Sequence, residues 1–203
     1  MKEIIKLFSS SVLAGICIAM GGTVFMKVGD LWGAVLFSFG LITVVHYALK
    51  LYTGTAGFFD FRSLGGWGEL FLIIFANAIG CGLLALLVGR TSPELIDTAS
   101  SIVDKRIAAG SINCFLAAIC CGFIMTTAVQ FARKGHFLPL LFGVPLFIMC
   151  GFTHSIADAF YFLCSKRFIF SDVIINGEIM LLWVSEIIGN LVGCNLYRML
   201  CIK

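Results

Sequence analysis

His154 and Asp158 stand four residues apart in the stretch GFTHSIADAF, with Ser155 beside them. The stretch lies inside FLPLLFGVPLFIMCGFTHSIADAFYFLC, a run so apolar that titratable side chains are out of place in it. Histidine, with an ordinary pKa of about 6.5, can bind and release a proton near physiological pH. A carboxylate one helical turn away can pair with a cation or cap a helix. Ionisable residues inside spanning segments are costly and therefore functional by default. Irregular backbone at membrane depth survives only where it is buried in protein or lines a wet cavity. His154 and Asp158 are accordingly expected to face a pore. The competing reading is a structural histidine satisfied within a helix bundle.

The elements that must carry these residues are membrane helices. The 203 residues are 60% hydrophobic and only 12% charged, against about 25% charged in soluble domains. The mean hydropathy is +1.05. A soluble chain of this length could not bury so much apolar surface, so an integral membrane protein is expected, forming a single transmembrane domain over 1–203. The apolar start continues through Gly and Met without an A-x-A site and is not read as a cleaved signal. The formal net charge of +3 argues against nucleic acid as a partner and is compatible with anion traffic. The nine cysteines all fall within or at the ends of apolar segments, with no C-x-x-C spacing. They read as small buried side chains, and no metal or cofactor is called for.

Spans are expected near 8–27, 31–50, 68–89, 111–132, 138–164 and 173–200, with 90–110 as an external loop holding a short helix. Basic residues divide seven against six between the two sides, which barely decides orientation. The third and sixth spans share a signature, NAIGC at Asn77–Cys81 and NLVGC at Asn190–Cys194. A duplicated three-helix unit has an odd helix count, so its halves are inverted, and such repeats place a path at their interface near the midplane. The second helix of each half should then be broken: LKLYTGTAGFFDF spoils the end of one, and GFTHSIADAF, with Pro139 and Pro145 upstream, interrupts the other.

FSFGLITVVHYALKLYTG (37–54), FANAIGCGLL (75–84), FIMCGFTHSIADAF (147–160), IIGNLVG (187–193) and AGICIAMG in the first span resemble the formate/nitrite transporter family, in order and across all six spans. The resemblance implies an all-α, aquaporin-like protomer of six helices in two inverted repeats, with the second and fifth helices broken. It implies a homopentamer in the cell membrane, one pore per protomer, both termini cytoplasmic. By position it implies a central His154 with Thr53, constrictions at Leu41, Leu51 and Phe147, and packing asparagines Asn77 and Asn190. The family's cargo is small monovalent weak-acid anions such as formate, nitrite and hydrosulfide. His46 has no family counterpart and reads as packing or protomer contact.

This chain departs from the pattern in three ways: HSIAD replaces HSIAN, Lys50 stands where the family has an acid, and little separates Thr53 from Trp67–Leu70. A lone charge at this depth costs about 2.5–3.5 kcal/mol, so Lys50 and Asp158 are expected to pair close to His154 and Thr53. Passing an anion through an apolar neck strips its hydration at a large idealised cost. A neutral weak acid avoids most of it, and a histidine between two apolar rings suits that exchange. Two other classes remain open: a channel for small neutral solutes, and a membrane-embedded enzyme. Against the enzyme, G-x-S-x-G, H-E-x-x-H and cysteine–histidine metal spacings are all missing.

Overall fold

The computed structural model describes residues 1–169 and 177–201. Ten helices run along the described residues, with no strand among them: α1 Lys2–Val28, α2 Asp30–His46, α3 Tyr52–Thr55, α4 Leu64–Thr91, α5 Glu94–Arg133, α6 Leu138–Met149, α7 Ser155–Cys164, α8 Lys166–Ile169, α9 Gly177–Cys194 and α10 Leu196–Leu200. Four of these, α1, α4, α5 and α9, are long and apolar enough to cross a membrane, and α2, α6 and α7 are shorter apolar helices. The start of the sixth expected span, 173–176, lies outside the described residues.

The expected breaks are present. Between α2 and α3 the chain leaves the helix, with Ala48 at φ 51°, and between α6 and α7 it does so at Gly151, φ 71°. The two halves rebuild one hydrogen-bond pattern around these breaks. Asn77 of α4 accepts from Tyr52 N (2.9 Å) and donates to the carbonyls of Lys50 (2.9 Å) and Ser11 (2.7 Å). Asn190 of α9 accepts from Ser155 N (2.9 Å) and donates to the carbonyls of Thr153 (3.1 Å) and Ala118 (2.9 Å). The signature cysteines then cross between halves: Cys81 Sγ donates to Ile156 O at 3.3 Å, and Cys194 Sγ to Thr53 O at 3.5 Å. The same positions of each break are served in both halves, so Leu51 is the structural counterpart of His154. These bonds satisfy backbone that water cannot reach at this depth.

Close helix approach makes that stitching possible. Gly80 lies on the Val12 carbonyl of α1, and Gly193 on the Ile119 carbonyl of α5, so a Cβ at either would overlap an oxygen. Small residues at membrane helix contacts let backbones meet in this way.

The segment 90–110 differs from expectation. Instead of a loop with a short helix, α5 begins at Glu94 and turns only at Gly110, whose φ of 79° and ψ of 161° suit glycine. Leu95, Ala99 and Val103 are buried, and their four-residue spacing makes the apolar stripe of a packed amphipathic helix. The cysteines are also only partly as expected. All nine are free thiols, but Cys120, Cys150 and Cys201 are exposed while Cys81, Cys114, Cys121, Cys164 and Cys194 are buried.

Candidate functional site: a buried histidine–threonine contact between two cavities

The two breaks bring His154 and Thr53 together. His154 Nε2 and Thr53 Oγ1 are 2.9 Å apart, and both residues are buried. The other ring nitrogen is committed: Nδ1 accepts the backbone N–H of Ala157 at 3.1 Å, making His154 the N-cap of α7. An accepting Nδ1 carries no proton, so the neutral ring holds its hydrogen on Nε2 and donates it to Thr53. The threonine hydroxyl hydrogen stays available to a further acceptor.

Apolar side chains flank this contact. The imidazole stacks on Phe147, with ring centres 5.6 Å apart and planes at 25°. Phe147 in turn meets Phe37 edge-on at 6.2 Å. Leu41 and Leu51 are buried on the other side. They line a cavity of about 710 Å³ together with Lys50, Gly54, Asp60, Glu69 and Arg133. A second cavity, about 200 Å³, is lined by Phe37, Phe147, His154, Asp158, Lys105 and Arg106, among others. The larger cavity reaches the neighbours of Thr53 through Leu51 and Gly54, whereas the smaller one touches His154 itself.

Each cavity holds an arginine bonded to a carbonyl near a helix break. Arg133 Nη2 donates to Gly54 O at 2.9 Å and sits 4.2 Å over the Phe58 ring. Arg106 Nη1 donates to Gly151 O at 3.0 Å. With Lys50 and Lys105 they place cationic side chains in both cavities, beside Asp60 and Glu69 in the larger one and Asp158 in the smaller.

The expected pairing of Lys50 with Asp158 does not occur. Asp158 is held by Arg106, Nε to Oδ2 at 3.0 Å and Nη2 to Oδ1 at 3.4 Å. Lys50 lines the larger cavity and makes no ion pair among the described residues, while its backbone serves Asn77 and Ser10. The inversion of the halves explains this. The α2–α3 break opens to one end of the molecule and the first turn of α7 to the other, so their charges point apart. Nor does Asp158 cap α7, since His154 already does. His46 is exposed and edge-on to Tyr47, with ring centres 5.0 Å apart, rather than packed in the core.

Arg106, Phe37, Arg133 and Glu186 were missed from the sequence. Arg106 falls in the segment 90–110, which the sequence alone reads as an external loop. Glu186 carried a usable signal, because an acid in LLWVSEIIGN is another ionisable residue within an apolar span.

Two halves that repeat one hydrogen-bond pattern and meet at buried helix breaks define a membrane-protein fold built as an inverted pair. The backbone matches the solved structure "Pentameric formate channel with formate bound" at a TM-score of 0.87 and 19% identity, covering 98% of this chain and 96% of that one. It matches a second solved structure, "FNT family ion channel", at a TM-score of 0.80 and 20% identity, covering 95% and 87%. The chain belongs to the formate/nitrite transporter family, which matches residues 1–202. It is 26% identical over 195 residues to the formate channel FocA of Escherichia coli (strain K12), covering 78% of this chain, and equally similar to FocA of two further strains of that species. The chain spans 66% of the length of these relatives.

Proposed function

We propose that this protein passes small monovalent weak-acid anions of the formate class across the cell membrane. The observation that carries the reading is the His154–Thr53 contact, buried between Leu41 and Leu51 on one side and Phe147 on the other. The family membership and the likeness to formate channels support the same cargo.

Lys50 and Arg133 in one cavity and Lys105 and Arg106 in the other offer an anion cationic contacts, and the apolar necks exclude bulk water and multiply charged solutes. In the dry neck the solute needs a replacement for its lost hydration. Thr53, accepting from His154 Nε2, offers its hydroxyl hydrogen, and the hydrogen-bond chain polarises that donor. Proton delivery by the ring requires first a proton on Nδ1, at the expense of the bond to Ala157 N. Proton coupling and the capping of α7 are therefore linked through one atom.

Radiolabelled formate uptake by proteoliposomes, with and without a pH gradient, tests this. Saturable or gradient-sensitive formate flux is the expected result. A pore that passes water or hydrogen sulfide while ignoring formate would overturn the anion reading. An absence of all flux would overturn the channel.

The assembly follows from the same family likeness. Trp32, Phe39, Phe71 and Phe142 are between 66% and 72% exposed, which is a surface for lipid and for other protomers rather than water. The protein forms a homopentamer with a pore in each protomer and its termini in the cytoplasm. Native mass spectrometry from mild detergent is expected to show five copies, and a stable monomer or dimer as the sole species would contradict this.

A further inference from the structure

We propose, building on the anion reading, that Arg133 binds planar two-oxygen anions, carboxylates and nitrite, in the larger cavity and favours them over single-atom anions such as hydrosulfide. Arg133 is the last residue of α5 and is exposed, so solutes from bulk water reach it. It lines the cavity of about 710 Å³ together with Gly54 and Phe58. Two contacts hold its guanidinium there. Nη2 donates to Gly54 O at 2.9 Å, and the group sits 4.2 Å over the Phe58 ring. An amide oxygen and an aromatic ring fix the position of the cation without cancelling its charge. No other hydrogen bond and no ion pair engages Arg133 among the described residues. Nη2 carries two hydrogens, one beside the Nε hydrogen and one beside an Nη1 hydrogen. Whichever of them Gly54 O takes, the other completes a two-pronged edge.

Arg106 shows the matching geometry in the same molecule. Its Nε and Nη2 take the two oxygens of Asp158 at 3.0 and 3.4 Å. A planar fork fits a planar pair of oxygens in this way, whereas an ammonium acts as a point charge. The protein's own carboxylate fills the fork in the smaller cavity. In the larger one the fork of Arg133 meets no such partner. Asp60 and Glu69 line that cavity too, but neither forms an ion pair with Arg133, and Asp60 Oδ1 accepts Arg62 N at 3.0 Å. Lys50 and Arg133 set two positive charges against these two acids. The cavity therefore has no surplus of charge to draw every anion equally, and selection falls to the shape of the fork. Its position suits an entry site. Gly54 follows Thr53, whose hydroxyl meets His154 Nε2 at 2.9 Å, so an anion on Arg133 waits one residue from the buried contact.

Phenylglyoxal labelling of the detergent-solubilised wild type, read by peptide mass spectrometry, reports whether the fork is occupied. Formate is expected to slow modification of Arg133 severalfold relative to chloride at equal concentration. Arg62, which is exposed and does not line the cavity, is the internal control and should label at an unchanged rate. Equal labelling of Arg133 in formate and in chloride overturns the site. Equal slowing of Arg62 is a general effect of the salt and overturns it too. The transport consequence rests on the channel reading. In proteoliposomes Arg133→Lys keeps the charge and loses the fork. The ratio of formate flux to hydrosulfide flux is expected to fall about tenfold, the worth of one charge-assisted hydrogen bond. An equal fall in both fluxes means that Arg133 merely holds Gly54, and overturns its part in selection. Flux of neither anion in the wild type overturns the channel reading, while the labelling still decides the site.

Discussion

Replacing His154 with phenylalanine lowers formate flux by about a hundredfold or more and removes its pH dependence, while the protein still assembles. The size follows from what one positioned proton-active group contributes, about 10² to 10⁴ in rate. The ring stacks on Phe147, so phenylalanine fits the same slot and keeps the apolar contact. It lacks Nε2 for Thr53 and Nδ1 for Ala157 N. The lost cap costs about 1 kcal/mol, too little to unfold the bundle. His154→Asn separates the two roles, because asparagine is a good N-cap but cannot exchange a proton. Flux and pH profile are measured in proteoliposomes, and assembly by size-exclusion chromatography. Wild-type flux and pH dependence in the phenylalanine variant would refute the role of His154. Wild-type behaviour in the asparagine variant alone would reduce that role to capping.

Replacing Asn190 with leucine destabilises the protein by roughly 5 kcal/mol. The side chains are close in size, so the change removes hydrogen bonds more than volume. Ser155 N, Thr153 O and Ala118 O lose their partner together. Each buried unpaired group costs about 1–3 kcal/mol, and no water reaches this depth to replace the amide. Thr153 and Ser155 flank His154, so surviving protein also has a displaced site. Asn77→Leu is expected to match it, since Tyr52 N, Lys50 O and Ser11 O lose the same kinds of bond. Thermal unfolding in detergent, compared with an exposed substitution such as Phe71→Leu, measures the effect. A variant as stable as that control would mean that the asparagines do not hold the breaks.

The membrane class of the molecule and the burial of His154 were legible in the chain because both depend on local cost. Sixty per cent hydrophobic residues can be accommodated only in lipid, and His154 stands out because a titratable group in an apolar run must be satisfied by something. The Asn-x-x-Gly-Cys signature was legible for a related reason. A broken helix in lipid needs an amide to serve its free backbone groups and a glycine to let helices touch. These needs recur in both halves, and the residues that meet them recur with them.

Which charges meet was not legible. Lys50 and Asp158 both depart from the family pattern, and on the chain nothing separates a Lys50 partner from an Arg106 one. An ion pair forms where two side chains point, and pointing depends on two tertiary facts. The halves are inverted, so the two breaks open to opposite ends. Gly110 turns α5, so the helix bearing Arg106 lies over the mouth of the smaller cavity rather than in a solvent loop. Hydropathy and motif spacing are properties of neighbours along the chain and survive without a fold. The Arg106–Asp158 pair joins two helices distant in sequence, and it exists only because packing brings their charges together.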